Sequence, residues 1–229
     1  RLADLEKQLA ELRATPPVLI AVTDLISQGK LVKAEQLCKA FMQKNPKHIE
    51  GMRLLADIAV RLGVLEDAEF LLESAVAFSP QSTKARMDFI KVLRKQQKYQ
   101  EALAHAKILI QQDPQNPQFQ SVFAVESMQS GDYETALATF DSILENYKID
   151  YIGTRLHAGI RALQFKNRAL IIAIDNRAHE IAQDINLKIS QRGNLDQISS
   201  FINSSANSLI KIPAREIHKW KNQFDLGMT

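Results

Sequence analysis

A 34-residue step runs through the first two thirds of this chain and constrains its fold more than any other feature. Pro46, Pro80 and Pro114 stand 34 residues apart, and Ala34, Ala68, Ala102 and Ala136 keep the same step. Gly29, Gly63 and Gly131 do so too, with Gln97 at the position where a further glycine would fall. A period of this length implies stacked units, each burying its apolar face only against its neighbours.

Residues 50–80 show the physics of one unit. Met52, Leu55, Ala56 and Ala59 share one face of a first helix, and Ala68, Leu72 and Ala75 form the facing stripe of a second. Gly63 sits where the connecting turn needs positive φ. Ala68 is small because the two helices approach most closely there. Pro80 lacks an N–H, so it is expected to end the second helix and open the next unit. The later units carry Phe89, Leu93, Tyr99 and Ala102, then Phe123, Tyr133, Ala136 and Phe140. The first is looser, with Leu25, Ala34 and Phe41.

This pattern resembles the tetratricopeptide repeat over about residues 17–147. The wording of RLLADIAVRLGVLEDAEFLLESAVAFSP and NPQFQSVFAVESMQSGDYETALATF is also similar to arrays that precede sulfotransferase domains in some bacterial proteins. No phosphosulfate-binding signature accompanies it, so that activity is not implied. The resemblance implies a scaffold that binds a protein or peptide along a groove lined by the first helices. The repeat register places Arg53, Asp57 and Arg61 there, followed by Lys84, Met87, Asp88, Lys91, Arg94 and Lys95. Gln118, Ser121, Val125 and Met128 continue the groove in the fourth unit. Its basic centre suits an acidic peptide or domain. The Lys–Asn pairing with which chaperone-type arrays hold a C-terminal carboxylate is missing, so binding of that class is not expected.

The repeat breaks at Lys148, where a proline would fall next. Residues 1–148 carry a net −1 and residues 149–229 a net +4, and isoleucine rises from 8 in the first segment to 14 in the shorter second. The expected organisation is therefore an N-terminal cap or linker helix at 1–15, a four-repeat array at 16–148 and a partial α/β segment at 149–229. In the last segment, Asp150–Ile152 reads as a strand and Arg155–Gln164 as a helix. The apolar run Arg168–Ile174 reads as a strand covered on both faces. A helix follows at Arg177–Ile185, with Ala178, Ile181, Ala182 and Ile185 inward. A strand at Lys188–Ser190 and helices near Leu195–Asn203 and Ala214–Phe224 complete it. The fold class is mainly α: a helical-hairpin superhelix followed by a small, incomplete Rossmann-like α/β segment.

The phrase IGTRLHAGIRAL carries the chemistry of that segment. Gly153 and Thr154 form a strand-to-helix turn, and free N–H groups at the helix start attract anions. Arg155 offers a guanidinium fork for phosphate or carboxylate, and His157 a proton donor or shuttle. The run YIGTRLHAGIRALQFKNRALIIAIDNRAHEIAQDINL resembles the C-terminal part of polysaccharide pyruvyl transferases, over about residues 150–225. Those enzymes move a pyruvyl group from phosphoenolpyruvate onto a sugar of bacterial cell-surface polysaccharide. The resemblance implies a donor-site role for Arg155 and His157, with Asp175, Asn176 and Arg177 as a second ligand-facing set. The family's two-domain cleft takes roughly three to four times these 80 residues, so the expectation is an interaction scaffold whose tail is not catalytic alone. The alternative is a phosphoenolpyruvate-dependent transferase acting on a glycan acceptor.

Other functions find no support. No apolar run exceeds the six residues Ala169–Ile174, far short of the roughly 18 that a spanning helix needs. The single Cys38 fits a reducing, cytoplasmic location. No phosphate-binding loop, nucleophile elbow or cysteine pair occurs, and His48, His105, His157, His179 and His218 lack ligand spacing. Neither a metal nor a cofactor is expected. The basic stretch at Lys211, Arg215, Lys219 and Lys221 lacks the aromatic interleaving of a nucleic-acid reader.

Overall fold

The computed structural model describes Glu6 and residues 15–204. The expected helix at 1–15, apart from Glu6 and Thr15, and that at Ala214–Phe224 lie outside these residues, as does the Ile185 side chain. The chain divides into two compact units at Phe140 and Asp141.

The first unit is built of helical hairpins. They are α1 (Pro17–Ser27) with α2 (Leu31–Lys44), α3 (Ile49–Leu62) with α4 (Leu65–Phe78), α5 (Thr83–Lys95) with α6 (Tyr99–Gln112), and α7 (Pro117–Gln129) with α8 (Tyr133–Asn146). α8 runs across the division between the units. The hairpin turns use the left-handed region at Gly29, Gly63 and Gly131, with φ of 72°, 83° and 87°. Gln97 adopts the same conformation at φ 63°, so the repeat dictates the backbone there even without glycine.

The first helices start on caps that also keep the 34-residue step. His48 Nδ1 accepts from Gly51 N–H at 3.2 Å, and Ser82 Oγ from Ala85 N–H at 3.3 Å. Asn116 Oδ1 accepts from Gln118 and Phe119 N–H at 3.0 and 3.4 Å. Each cap satisfies donors that the helix leaves unpaired. The prolines Pro46, Pro80 and Pro114 therefore do not open the following helices: they occupy the turn, and the cap two residues later starts the helix. Two of their carbonyls are bonded from the next helix, Pro80 by Arg86 Nη2 at 2.7 Å and Pro114 by Gln120 Nε2 at 2.8 Å.

Ala34, Ala68, Ala102 and Ala136 are all buried, as close helix approach requires. Around them, Leu72, Phe89, Ile90, Leu93, Leu109 and Phe119 form the central core, and Leu19, Val22, Ile26, Cys38, Leu55 and Ile58 that of the first hairpins. Burial pushes the Cys38 thiol up to about 11, so it stays protonated and inert.

Repeat register exposes one exception in this core. Ile58 and Val92 are equivalent and buried, and the next member of the series is Glu126, 0% exposed. Arg94 Nε lies 3.1 Å from its Oε1, yet among the described residues neither carboxylate oxygen receives a well-aligned hydrogen bond, and the neighbouring Ser127 hydroxyl has no partner either. Burial raises the Glu126 carboxyl above its ordinary range, and Arg94 offsets this only in part.

The second unit contains a three-stranded parallel sheet in the order β1 (Asp150–Gly153), β2 (Arg168–Ala173), β3 (Ile189–Gln191). Asp150 pairs in register with Arg168, and Ile171 with Ile189. Helices α9 (Leu156–Gln164) and α10 (Asn176–Ile185) make the crossovers, and α11 (Leu195–Asn203) follows β3. One sheet face carries Tyr151, Ala169, Ile171 and Ala173 against Leu156, Leu163, Ala178, Ile181 and Ala182. Gly159 allows the close helix–strand approach: a Cβ there would stand 2.1 Å from Ile171 Cδ1. On the other face Arg168 pairs with Asp150 and stacks on Phe201 at 4.8 Å. Asn167 closes the entry to the sheet, donating to Leu144 C=O at 2.6 Å and accepting from Ile149 N–H at 3.1 Å.

Candidate functional site

Between α3 and α5 lies a cavity of about 340 Å³. Leu54, Ala56, Val60, Leu72 and Val92 give it an apolar floor, and Glu50, Arg53, Asp57, Asp88, Lys91 and Lys95 a charged rim. The helical spacing of Arg53, Asp57 and Val60 brings them to one face, and the next repeat supplies the facing wall. A second, more open depression shares Glu50 and Arg53 and adds Lys47, His48, Ser82 and Lys84.

Arg53 is the fixed point of this region. Its Nε and Nη2 donate to Asp88 Oδ2 at 2.8 and 2.6 Å, and Nη1 to Glu50 Oε2 at 2.6 Å. Burial opposes its charge, but Asp88 and Glu50 outweigh burial and raise its pKa. Lys91 reaches the other oxygen of Asp88 at 2.9 Å, and Arg61 pairs with Asp57 at 3.0 Å.

Of the residues the register assigned to a groove, Arg53, Asp57, Asp88, Lys91 and Lys95 line the cavity, and Lys84 lines the neighbouring depression. Arg61 extends along the same helix. Met87 packs against the core instead, and Arg94 turns to Glu126. The basic centre expected from sequence is thus largely tied up in ion pairs. Sequence reading missed the apolar floor and Glu50; the i to i+4 recurrence of Ala56 and Val60 was the available signal.

In the second unit, Thr154, Arg155 and His157 are exposed at the end of β1 and the start of α9. Among the described residues neither the Arg155 guanidinium nor the His157 ring has a hydrogen-bond partner. Gly153 has no positive φ; the space it leaves accommodates the Tyr151 hydroxyl, which a Cβ would meet at 2.9 Å. That hydroxyl donates to Arg155 C=O at 2.9 Å and accepts from Arg155 N–H at 3.2 Å, bracing the turn. Asp175, Asn176 and Arg177 follow the adjacent strand. Asp175 caps α10 by accepting from Arg177 N–H at 3.1 Å, and its other oxygen takes the Arg177 guanidinium at 2.7 Å. The bond from Arg177 holds the Asp175 carboxyl below its usual range. Asp175 and Arg177 thus neutralise each other.

Among the described residues, no group of three His, Cys, Asp or Glu side chains is placed to hold a metal ion, and no helix is long and apolar enough to cross a membrane.

Stacked hairpins with a floored groove between successive first helices define a helical-repeat scaffold, a class that engages other proteins. The tetratricopeptide repeat profile matches residues 25–87 and 93–148, more than half of the chain. This protein belongs to the tetratricopeptide repeat family.

Solved structures share this fold over part of the chain. The structure titled "MamA RS-1 ArsTM double mutant" is 16% identical with a TM-score of 0.51, covering 56% of this chain and 72% of that one. "Crystal structure of MamA" is 15% identical with a TM-score of 0.50, covering 63% and 79%. No curated protein sequence matches the chain.

Proposed function

We propose that the chain is a protein-interaction scaffold whose α3–α5 groove holds a segment of a partner protein, with acidic character favoured. The carrying observation is the groove itself: an apolar floor enclosed by charged residues, on the face where successive repeats align. Selection of peptides from a random displayed library against the whole chain tests this reading. Binders are expected to lose affinity on Val60→Arg and to keep it on Phe70→Ser, at an exposed position outside the cavity lining. Equal loss with both variants, or no binder that depends on the groove, refutes it.

For residues 149–229 we infer no catalysis by the segment alone. Asp175 and Arg177, two of the second ligand-facing set, pair with each other, and the described part offers one sheet where the resembled pyruvyl transferases use a cleft between two domains. The exposed Arg155 and His157 support an anion-binding alternative, phosphoenolpyruvate for transfer to a glycan. Titration calorimetry with phosphoenolpyruvate separates the two: heat that disappears in Arg155→Ala and His157→Ala favours the transferase reading, and no heat from the unmutated chain eliminates it. A cytoplasmic site of action remains part of the proposal, on the single reduced and buried Cys38.

A further inference from the structure

We propose that the α3–α5 groove recognises an apolar anchor residue with a carboxylate beside it, the anchor entering the cavity and the carboxylate meeting Lys95. This rests on the docking reading above and specifies the chemistry of the segment.

The cavity sets the first requirement. At about 340 Å³ it lies at the small end of ligand pockets, which run from roughly 300 to 1,000 Å³. Such a space suits one or two side chains rather than a whole helix. Leu54, Ala56, Val60, Leu72 and Val92 offer no hydrogen-bond partner at the floor, so a polar side chain entering there would lose its water without replacement. Leucine, methionine or phenylalanine gains by the same step.

The rim sets the second. Asp88 is shared by Arg53 and Lys91, Glu50 is taken by Arg53, and Asp57 by Arg61. These charges are mutually compensated, and drawing them to a partner would break existing pairs. Lys95 differs. It stands exposed on the rim and has no ion pair among the described residues. The two adjoining depressions together present Lys47, Arg53, Lys84, Lys91 and Lys95 against Glu50, Asp57 and Asp88, an excess of positive charge. An incoming carboxylate therefore gains from the general field and from one specific ammonium, whereas an incoming ammonium meets repulsion.

The test pans a random displayed peptide library on the whole chain, and again on Lys95→Glu. Panning on the unmutated chain should enrich Leu, Met or Phe with Asp or Glu within a few residues. On Lys95→Glu the acidic position should turn to Lys or Arg, because like charges across an interface cost several kcal/mol. A selected peptide measured by fluorescence anisotropy should bind Lys95→Glu at least about tenfold more weakly. Its Asp→Asn analogue should bind the unmutated chain about two- to fivefold more weakly, the range of an exposed ion pair. Val60→Arg and, independently, Leu54→Glu should abolish binding while the circular dichroism melting curve shows the array folded. Groove-dependent peptides with no acidic preference, or with affinity indifferent to Lys95→Glu, overturn this inference and leave the docking reading intact. Absence of any peptide sensitive to Val60→Arg or Leu54→Glu overturns the docking reading itself.

Discussion

Replacing Glu126 by methionine should stabilise the array. The repeat sets Glu126 in the column occupied by Ile58 and Val92, 1% and 2% exposed, and its own side chain is fully buried. Its carboxylate meets Arg94 at one oxygen and receives no well-aligned hydrogen bond at either. A buried ion pair with such geometry does not recover the cost of dehydration. Exchanging buried pairs for apolar residues of similar volume is often neutral or stabilising by about 1–4 kcal/mol. Methionine keeps the length and unbranched shape of glutamate and a good helix propensity. Arg94, 36% exposed, can turn its freed guanidinium to water, so the lower half of that range, about 1–2 kcal/mol, applies.

The pH dependence follows from the raised carboxyl. The folded chain holds the Glu126 proton more tightly than the unfolded chain does. The contribution of this group to stability is therefore fully present below its unfolded value, near the ordinary 4.5, and is lost as pH rises through the folded value. Urea unfolding followed by far-ultraviolet circular dichroism should give a higher midpoint for Glu126→Met at neutral pH. The advantage should shrink as pH falls and be smallest below about 4.5, where the folded and the unfolded carboxyl are both protonated. Glu126→Gln, which removes only the charge, should reproduce the flattened pH profile. A lower midpoint for Glu126→Met at neutral pH, or an advantage that does not change with pH, refutes the reasoning.

Gln97→Gly should raise stability by about 0.5–1 kcal/mol, since relief of a left-handed backbone outweighs the added freedom of the unfolded glycine; an unchanged or lower urea midpoint argues against this. Gly159→Val should unfold the second unit selectively, because even a Cβ meets Ile171 at 2.1 Å; protease cleavage within 150–204, with the array intact, is the expected readout. Asn167→Leu should expose the Ile149 amide to rapid hydrogen exchange and cost about 1–3 kcal/mol locally, the penalty for buried groups left without partners.

The 34-residue step made the helical hairpins legible, because each helix depends on periodic apolar residues and on one glycine-like turn. The same step, read at other columns, also held the caps His48, Ser82 and Asn116 and the buried Glu126. These are less apparent because polar residues at caps and in a core look alike in composition. The groove residues were legible as positions, whereas their electrostatics were not. Whether Arg53 is available depends on Asp88, 35 positions away and one repeat further on, and only packing reveals that it is held. In the second unit the strands lie within one residue of their expected limits, since β-branched runs and turn residues mark them. The reason for Gly153 differed, because the Tyr151 ring that folds back over it follows from side-chain packing rather than backbone propensity.

Because α8 serves both units, the unit division differs from the place where the repeat stops. Asp141 receives the Arg161 guanidinium, and Leu144 C=O receives Asn167. A gene rearrangement that transferred residues 149–229 to another protein would separate Arg161 and Asn167 from these partners. One that began near residue 133 would carry the whole of α8 and keep them. A transfer of the α/β segment that keeps these two contacts would therefore have to carry α8 with it.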